Sequence, residues 1–173
     1  MRQWKKSMVY LCMIGMFAGL LTGCGRKEVI SKKTFADTLI SYDYQVKDQS
    51  KMIEEGSDLK TVYLAIPKAT KDKETEKTEQ SFQAQNQIEF YEFTDEKAGK
   101  EHFKELSNEL VAAYKNEDGY ETDTKDSKNA EVRVVETKEQ YYKLSRIDDT
   151  LVVGIAPKDQ QKTIEKIFQE LGY

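Results

Sequence analysis

Two alternating segments near the C-terminus constrain the fold more than any other feature of the chain. In residues 141–147 and 150–156 most side chains at alternate positions are apolar, a period typical of β-strands. Only Asp148 and Asp149 separate the two segments, and a two-residue connection between strands favours a β-hairpin. The predicted register pairs Leu144 with Val153, Tyr142 with Ile155 and Arg146 with Leu151. The chain therefore contains an antiparallel strand pair with one mostly apolar face to bury.

Outside the hairpin, apolar side chains recur at helical spacing in three places. Ser31 is expected to cap the first helix, Thr94 or Asp95 the second, and Pro157 suits the start of the third, which Gly172 ends. Alternating apolar residues predict strands at 61–67, 87–94 and 131–136, and an extended segment at 42–46. Charged and polar residues dominate 68–86 and 121–129. We expect these two segments to be connectors, the first of them a mobile loop.

The order of these elements predicts the fold class. A helix is followed by two strands, a helix, three strands and a last helix, and the hairpin favours antiparallel pairing. We expect an α+β two-layer sandwich, with a mainly antiparallel sheet and the helices packed on one face. Residues 31–173 fit a single domain of this kind, since a chain of this length rarely divides further.

The N-terminal segment has the layout of a cleavable export signal. Arg2, Lys5 and Lys6 precede an apolar stretch at residues 8–21, and small residues follow it. That stretch is about 14 residues long, whereas a membrane-spanning helix needs about 20. We therefore predict that residues 1–23 are a signal peptide that is removed after export.

The end of this segment, Leu21-Thr22-Gly23-Cys24, resembles the lipobox of bacterial lipoprotein precursors. The resemblance covers only the first 24 residues. It implies cleavage between Gly23 and Cys24 and attachment of a diacylglycerol to the Cys24 thiol. Two acyl chains, at about 0.8 kcal/mol per buried methylene, hold a soluble domain on a membrane. Residues 24–30 are then a short lipidated tether.

The same resemblance implies a location. The domain is expected on the outer face of the cytoplasmic membrane, or on an outer membrane if the source has two membranes. Its lysine content and short tether are similar to small lipoproteins of Gram-positive bacteria. An ordinary signal peptide with a chance cysteine and a short buried helix are the alternatives, which replacing Cys24 by serine would separate.

Charge and cysteine content argue against several classes of function. Removal of residues 1–23 takes away three of the 27 Lys and Arg residues and none of the 31 Asp and Glu residues. The remaining chain then has a formal net charge of −7. Nucleic acid is therefore a poor partner. Cys12 leaves with the signal peptide and Cys24 is acylated, so neither a disulfide nor a thiol nucleophile is expected. With His102 as the single histidine, no metal site of the zinc type and no cofactor are expected.

The residues that most resemble catalytic groups have simpler interpretations. His102 lies at the border of an apolar helical stripe and is interpreted as a partly buried structural residue. Asp148 and Asp149 suit a turn better than an acid-base pair. The acidic residues around Gly119 lack the spacing of a calcium loop. Arg146 falls on the apolar hairpin face, where we expect a salt bridge at the edge of the core.

Three functions stay open at this point. We expect a non-enzymatic protein-interaction module of the cell envelope, with Tyr141, Ile147 and Val152 as its candidate surface. Its partners are the membrane, through the lipid on Cys24, and an envelope protein. The alternatives are a small-ligand-binding lipoprotein for transport or sensing, and an envelope hydrolase that uses paired carboxylates. A concavity with converging polar groups would favour the alternatives, and a flat apolar face would favour the interaction module.

Overall fold

The computed structural model describes residues 26–68 and 86–173. The predicted signal peptide, Gly23, Cys24 and most of the predicted loop at 68–86 lie outside these residues. The helices and strands are, in chain order, α1 (Lys32–Ser41), β1 (Tyr44–Asp48), β2 (Leu59–Pro67), β3 (Gln87–Phe93), α2 (Glu96–Tyr114), β4 (Glu121–Asp126), β5 (Ala130–Glu136), β6 (Gln140–Ile147), β7 (Thr150–Pro157) and α3 (Gln161–Glu170). Within the described ranges, none of the helices has the length and hydropathy that a membrane crossing requires.

The strands form one antiparallel sheet. Its seven strands lie in the order β1-β2-β3-β7-β6-β5-β4. Strands β6 and β7 pair in the predicted hairpin register, with Leu144 opposite Val153, Tyr142 opposite Ile155 and Arg146 opposite Leu151. Asp148 has a φ of 49°, a left-handed conformation that aspartate tolerates at turns. The predicted α+β class with a mainly antiparallel sheet is confirmed.

The helices cover both faces of the sheet, whereas the sequence predicted one. Helices α1 and α3 bury Phe35 and Phe168 against one face, and α2 buries Phe103 against the other. The domain therefore has three layers, and the predicted two-layer arrangement was wrong. The physical reason lies in β7, which is apolar on both sides. Val152 and Ala156 face α3 while Leu151 and Val153 face α2, and a strand with two apolar faces must be covered twice.

The segment predicted as a polar connector at 121–129 contains an edge strand. All six residues of β4 are polar or charged, and all are exposed. The sequence therefore shows no apolar alternation at this strand. Backbone hydrogen bonds to β5 hold it in place, from Glu121 opposite Glu136 to Asp126 opposite Glu131. Charged side chains are common on edge strands because they oppose pairing with other chains.

The helix starts agree with the predicted caps. The Ser31 hydroxyl accepts a hydrogen bond from the Thr34 backbone N–H, and the Asp95 carboxylate accepts one from the Ala98 N–H. Each cap satisfies a backbone donor that the first helical turn leaves free. Pro157 precedes a short 3₁₀ turn, Lys158–Gln160, which leads into α3.

Candidate functional site: a polar groove beside helix α3

The surface predicted from the hairpin is buried. Tyr141 is 1% exposed, and Ile147 and Val152 are 0% exposed, because they belong to the core under α1 and α3. The prediction of an interaction surface at these three residues was wrong. This hairpin face is only partly apolar in sequence, but α1, which precedes β1, and α3, which follows β7, cover it.

The residues interpreted as structural are placed as expected. The Arg146 side chain is 1% exposed and its Nε lies 2.6 Å from a carboxylate oxygen of Glu131, which is the predicted salt bridge. His102 packs against the rings of Tyr91 and Phe93. Burial lowers the pKa of His102, although Glu105 and Glu109 act to raise it. Asp148 and Asp149 form the tight turn between β6 and β7.

A groove of about 480 Å³ opens between α3 and the outer strands β4, β5 and β6. We call it the α3 groove. The residues that matter for its chemistry are Val132, Val134, Glu136, Tyr141, Lys143 and Glu165. It exists because helices α1 and α3 lie on β1, β2 and β7. A helix with its side chains is about 10 Å wide and strands are about 4.8 Å apart, so two helices cover only about four strands. The face of the outer strands stays open.

The acidic part of the groove is already engaged by donors of the protein itself. The Gln161 side-chain amide donates to Glu136 at 3.1 Å and to Glu165 at 2.9 Å. Lys158 forms an ion pair with Glu136. The Tyr141 hydroxyl lies 3.5 Å from Glu165, and burial, followed by these two carboxylates, raises the pKa of Tyr141. Tyr141 therefore keeps its proton and acts as a donor at neutral pH.

The basic part of the groove is different, because Lys143 is half-buried and forms no ion pair with any residue of 26–68 or 86–173. Among the described residues, no carboxylate oxygen lies within 4.0 Å of its Nζ atom, which instead sits 4.6 Å from the centroid of the Phe168 ring. Burial lowers the pKa of Lys143; Glu165 acts to raise it, and Lys27 and Lys125 act to lower it. A desolvated ammonium without a carboxylate partner is the chemically distinctive feature of this groove.

A second depression lies at the other side of the sheet, between the end of α2 and the β5–β6 turn. Its volume is about 570 Å³, and the rings of Tyr114 and Tyr142 contact each other there at an interplanar angle of 34°, with centroids 4.6 Å apart. The charged residues around it are exposed on the two turns, and Lys138 pairs with Asp118 at 3.4 Å. Although this depression is the larger one, its charges are solvated, so we place the candidate site in the α3 groove.

Sequence reasoning missed this groove. Lys143 alternates onto the same face as Tyr141, a signal that could have placed the two side chains together. Glu165 and Gln161 lie one turn apart on α3, but their approach to β5 depends on where α3 docks.

Comparisons with known proteins add little to this picture. No protein-family model matches the chain, and no curated protein matches it. Among solved structures, the crystal structure of a GTP binding regulator from Thermotoga maritima is similar in part. The TM-score is 0.46 at 11% sequence identity, with 86% of this chain and 93% of that chain covered. A similarity of this size says nothing about function.

Proposed function

We propose that the protein is an extracytoplasmic lipoprotein, anchored through lipid on Cys24, that binds a small anionic ligand in the α3 groove without catalysing a reaction. The observation that carries the proposal is the half-buried Lys143, which has no ion pair among the described residues. The proposed location of the protein on the cell envelope rests on the resemblance of Leu21-Thr22-Gly23-Cys24 to a lipobox.

A ligand with a carboxylate or phosphate group suits this environment. Partial burial of an ammonium costs free energy, which the face of the Phe168 ring offsets only in part. An anion beside Nζ would form a charge-assisted hydrogen bond where water has limited access. Val132 and Val134 offer an apolar wall for the rest of the ligand. The groove volume of about 480 Å³ falls within the usual range for small-molecule sites.

The arrangement of the carboxylates favours binding over hydrolysis. Paired-carboxylate hydrolysis needs one acid to deliver a proton and a second group to attack or activate water. Here Gln161 donates to both Glu136 and Glu165, and Lys158 pairs with Glu136. Both carboxylates are thus occupied as acceptors for the protein's own donors.

A protein-interaction module is the second candidate, and the exposed edge strand β4 supports it. An extended peptide can add to an open sheet edge through main-chain hydrogen bonds, with alternate side chains reaching neighbouring pockets. Asp123 and Lys125 of β4 border the α3 groove, so such a peptide would lie next to it. The charges of β4 oppose indiscriminate pairing, and a partner would need complementary charge.

Thermal unfolding with added anions tests the ligand proposal. We expect inorganic phosphate, acetate or citrate to raise the Tm of residues 24–173 carrying Cys24→Ser in a saturable way, because a ligand that binds only the folded state stabilises it. Lys143→Gln should remove the saturable part. Lys104→Gln, which removes an exposed lysine on α2, is the charge-matched control and should retain it. Equal shifts in all three proteins, as excluded salts produce, would overturn the proposal.

Cell fractionation tests the anchor. The wild-type protein should stay in the membrane fraction, and Cys24→Ser should release it, because the acyl chains supply the membrane affinity. Cys12→Ser is the matched control and should behave as the wild type, since Cys12 lies in the predicted signal peptide. Retention of the Cys24→Ser protein on membranes would contradict lipid anchoring.

A further inference from the structure

Arg26 and Lys27, at the start of the described residues, are fixed to the domain by specific contacts. The Lys27 backbone N–H donates to the Asn129 side-chain oxygen at 3.1 Å, and the Asn129 amide donates back to the Lys27 carbonyl at 2.9 Å. The Asn129 amide also donates to Asp148 at 3.1 Å. The Arg26 guanidinium donates to the same Asp148 carboxylate at 3.0 Å. We call these contacts the tether clamp.

The tether clamp leaves very little free chain between the domain and the lipid. Only Gly25 separates Cys24 from Arg26. Consecutive Cα atoms are 3.8 Å apart, so the Cys24 and Arg26 Cα atoms are at most about 7.6 Å apart. A lipidated Cys24 therefore brings the clamped end of the domain to within about 1 nm of the bilayer surface.

The clamped end carries the turns that join β4 to β5 and β6 to β7. The connection between β1 and β2 lies at the same end of the sheet, because neighbouring strands are antiparallel. That connection holds Met52, which is 79% exposed, and Val29 in the tether is also exposed. These are two of the three large apolar residues described as exposed. Exposed apolar side chains at one end suit a surface that touches lipid.

The charges of the clamped turn are balanced within the protein. Asp148 pairs with Arg26, and Asp149 lies 3.8 Å from Lys60. The two carboxylates of the β6–β7 turn are thus compensated, which lowers their repulsion from anionic headgroups. The net charge of the mature chain, −7 from sequence, would otherwise oppose a close approach of any acidic surface.

We propose that the tether clamp holds the domain in one orientation on the membrane, with the β4–β5 and β6–β7 turns against the lipid surface. This inference rests on the lipid anchor proposed above and adds a membrane-facing surface to it. The β5–β6 turn at the opposite end then points away from the bilayer. Strand β5, Ala130–Glu136, separates the two ends by about 20 Å at 3.3 Å per residue. The α3 groove lies along this strand, with Glu136 at its outer end.

Site-specific quenching tests the orientation. The acylated protein is reconstituted in phosphatidylcholine vesicles that contain a lipid with a headgroup quencher. A fluorophore is placed on a single introduced cysteine, Lys128→Cys in the β4–β5 turn or Lys138→Cys in the β5–β6 turn. Both lysines are exposed, so the two variants are matched. We expect at least threefold stronger quenching at position 128, and equal quenching at the two positions would overturn the orientation.

Breaking the tether clamp should abolish the difference in quenching between positions 128 and 138 without releasing the protein from the vesicles. Asn129→Ala removes both hydrogen bonds to Lys27, and Arg26→Gln removes the ion pair with Asp148 while leaving the turn intact. Each variant is first checked for cooperative thermal unfolding, and Arg26→Gln serves if Asn129→Ala does not fold. An unchanged contrast in a folded clamp variant would overturn the role of these contacts. Loss of the wild-type protein from the vesicles would instead refute the lipid anchor.

Discussion

The ammonium nitrogen of Lys143 lies 4.6 Å from the centroid of the Phe168 ring. Phe168 is a residue of α3 and belongs to the core cluster between this helix and the sheet. Lys143 lies on β6 at the border of that cluster. In this contact the ammonium charge, which is only partly hydrated, lies against the electron-rich face of an aromatic ring. It shows that this lysine is held between core and groove rather than extended into solvent.

Replacing Lys143 by methionine should leave the free energy of unfolding at neutral pH unchanged or raise it. Methionine keeps the apolar contact with Phe168 and removes the desolvated charge. Because burial lowers the pKa of Lys143 below its usual 10.5, the unfolded chain binds the proton more strongly than the folded one. The wild type should therefore gain stability relative to Lys143→Met as pH rises toward 10.5. Urea unfolding at several pH values measures this, and a destabilised variant at neutral pH would contradict it.

Replacing Glu131 by glutamine should destabilise the domain by about 2 kcal/mol, because it deprives the buried Arg146 of its nearest carboxylate and leaves only that of Glu96, at 4.0 Å. The cost falls below that of a fully buried pair, since the Glu131 side chain is 24% exposed and Arg146 also donates to the Asp148 carbonyl at 2.6 Å. Denaturant unfolding gives the value. Glu139→Gln, at an exposed position of the β5–β6 turn, is the control and should change stability by less than about 0.5 kcal/mol. Equal stability of the two variants would show that Arg146 does not depend on Glu131.

Replacing Gly154 by alanine should cost about 1–3 kcal/mol, because the added methyl group has no space. A Cβ atom at this position would lie 2.8 Å from Phe168 Cε2 and 3.0 Å from Ile164 Cγ2. Shortening the neighbour tests the cause. In a Phe168→Leu background the same glycine substitution should cost less, and a double-mutant cycle by thermal unfolding measures the difference. Strictly additive effects would mean that the contact with Phe168 is not responsible.

Glu89 should make stability depend on pH in the mildly acidic range. Burial raises the pKa of Glu89 above its usual 4.5, while the hydrogen bond from the Tyr91 hydroxyl acts to lower it. The folded state therefore binds the proton more strongly than the unfolded chain, and the resulting stabilisation is lost as pH rises through the folded pKa. Relative to Glu89→Gln, the wild type should become less stable as pH rises from the usual pKa of 4.5 through the raised pKa of the folded state. Parallel stability curves for the two proteins in urea would refute this.

Several elements of the fold followed from local sequence patterns. The hairpin register around Asp148 and Asp149 was predictable because strand alternation and turn chemistry act over neighbouring residues. The caps at Ser31 and Asp95 were predictable for the same reason. Strand β4 was not, because its six residues are polar on both sides and only pairing with β5 makes them a strand.

The candidate site was much less predictable than the elements that form it. Burial of Tyr141 and Val152 depends on α3, and burial of Leu151 on the opposite side depends on α2. Alternation shows that a strand has two faces, but it does not tell which helix will cover each face. The groove is the area that α1 and α3 leave open, so its position follows from helix docking.

The antiparallel α+β character, the hairpin register and the helix caps followed from the sequence, and the resemblance of Leu21-Thr22-Gly23-Cys24 to a lipobox predicts an anchor at Cys24. Tertiary structure alone decided the three layers, the α3 groove around Lys143 and the contact of Lys27 with Asn129, which lies 102 positions away. Local patterns record interactions between residues that are close along the chain. The α3 groove and the tether clamp depend on segments that are distant along the chain. These segments meet only when the core excludes water from both faces of the sheet.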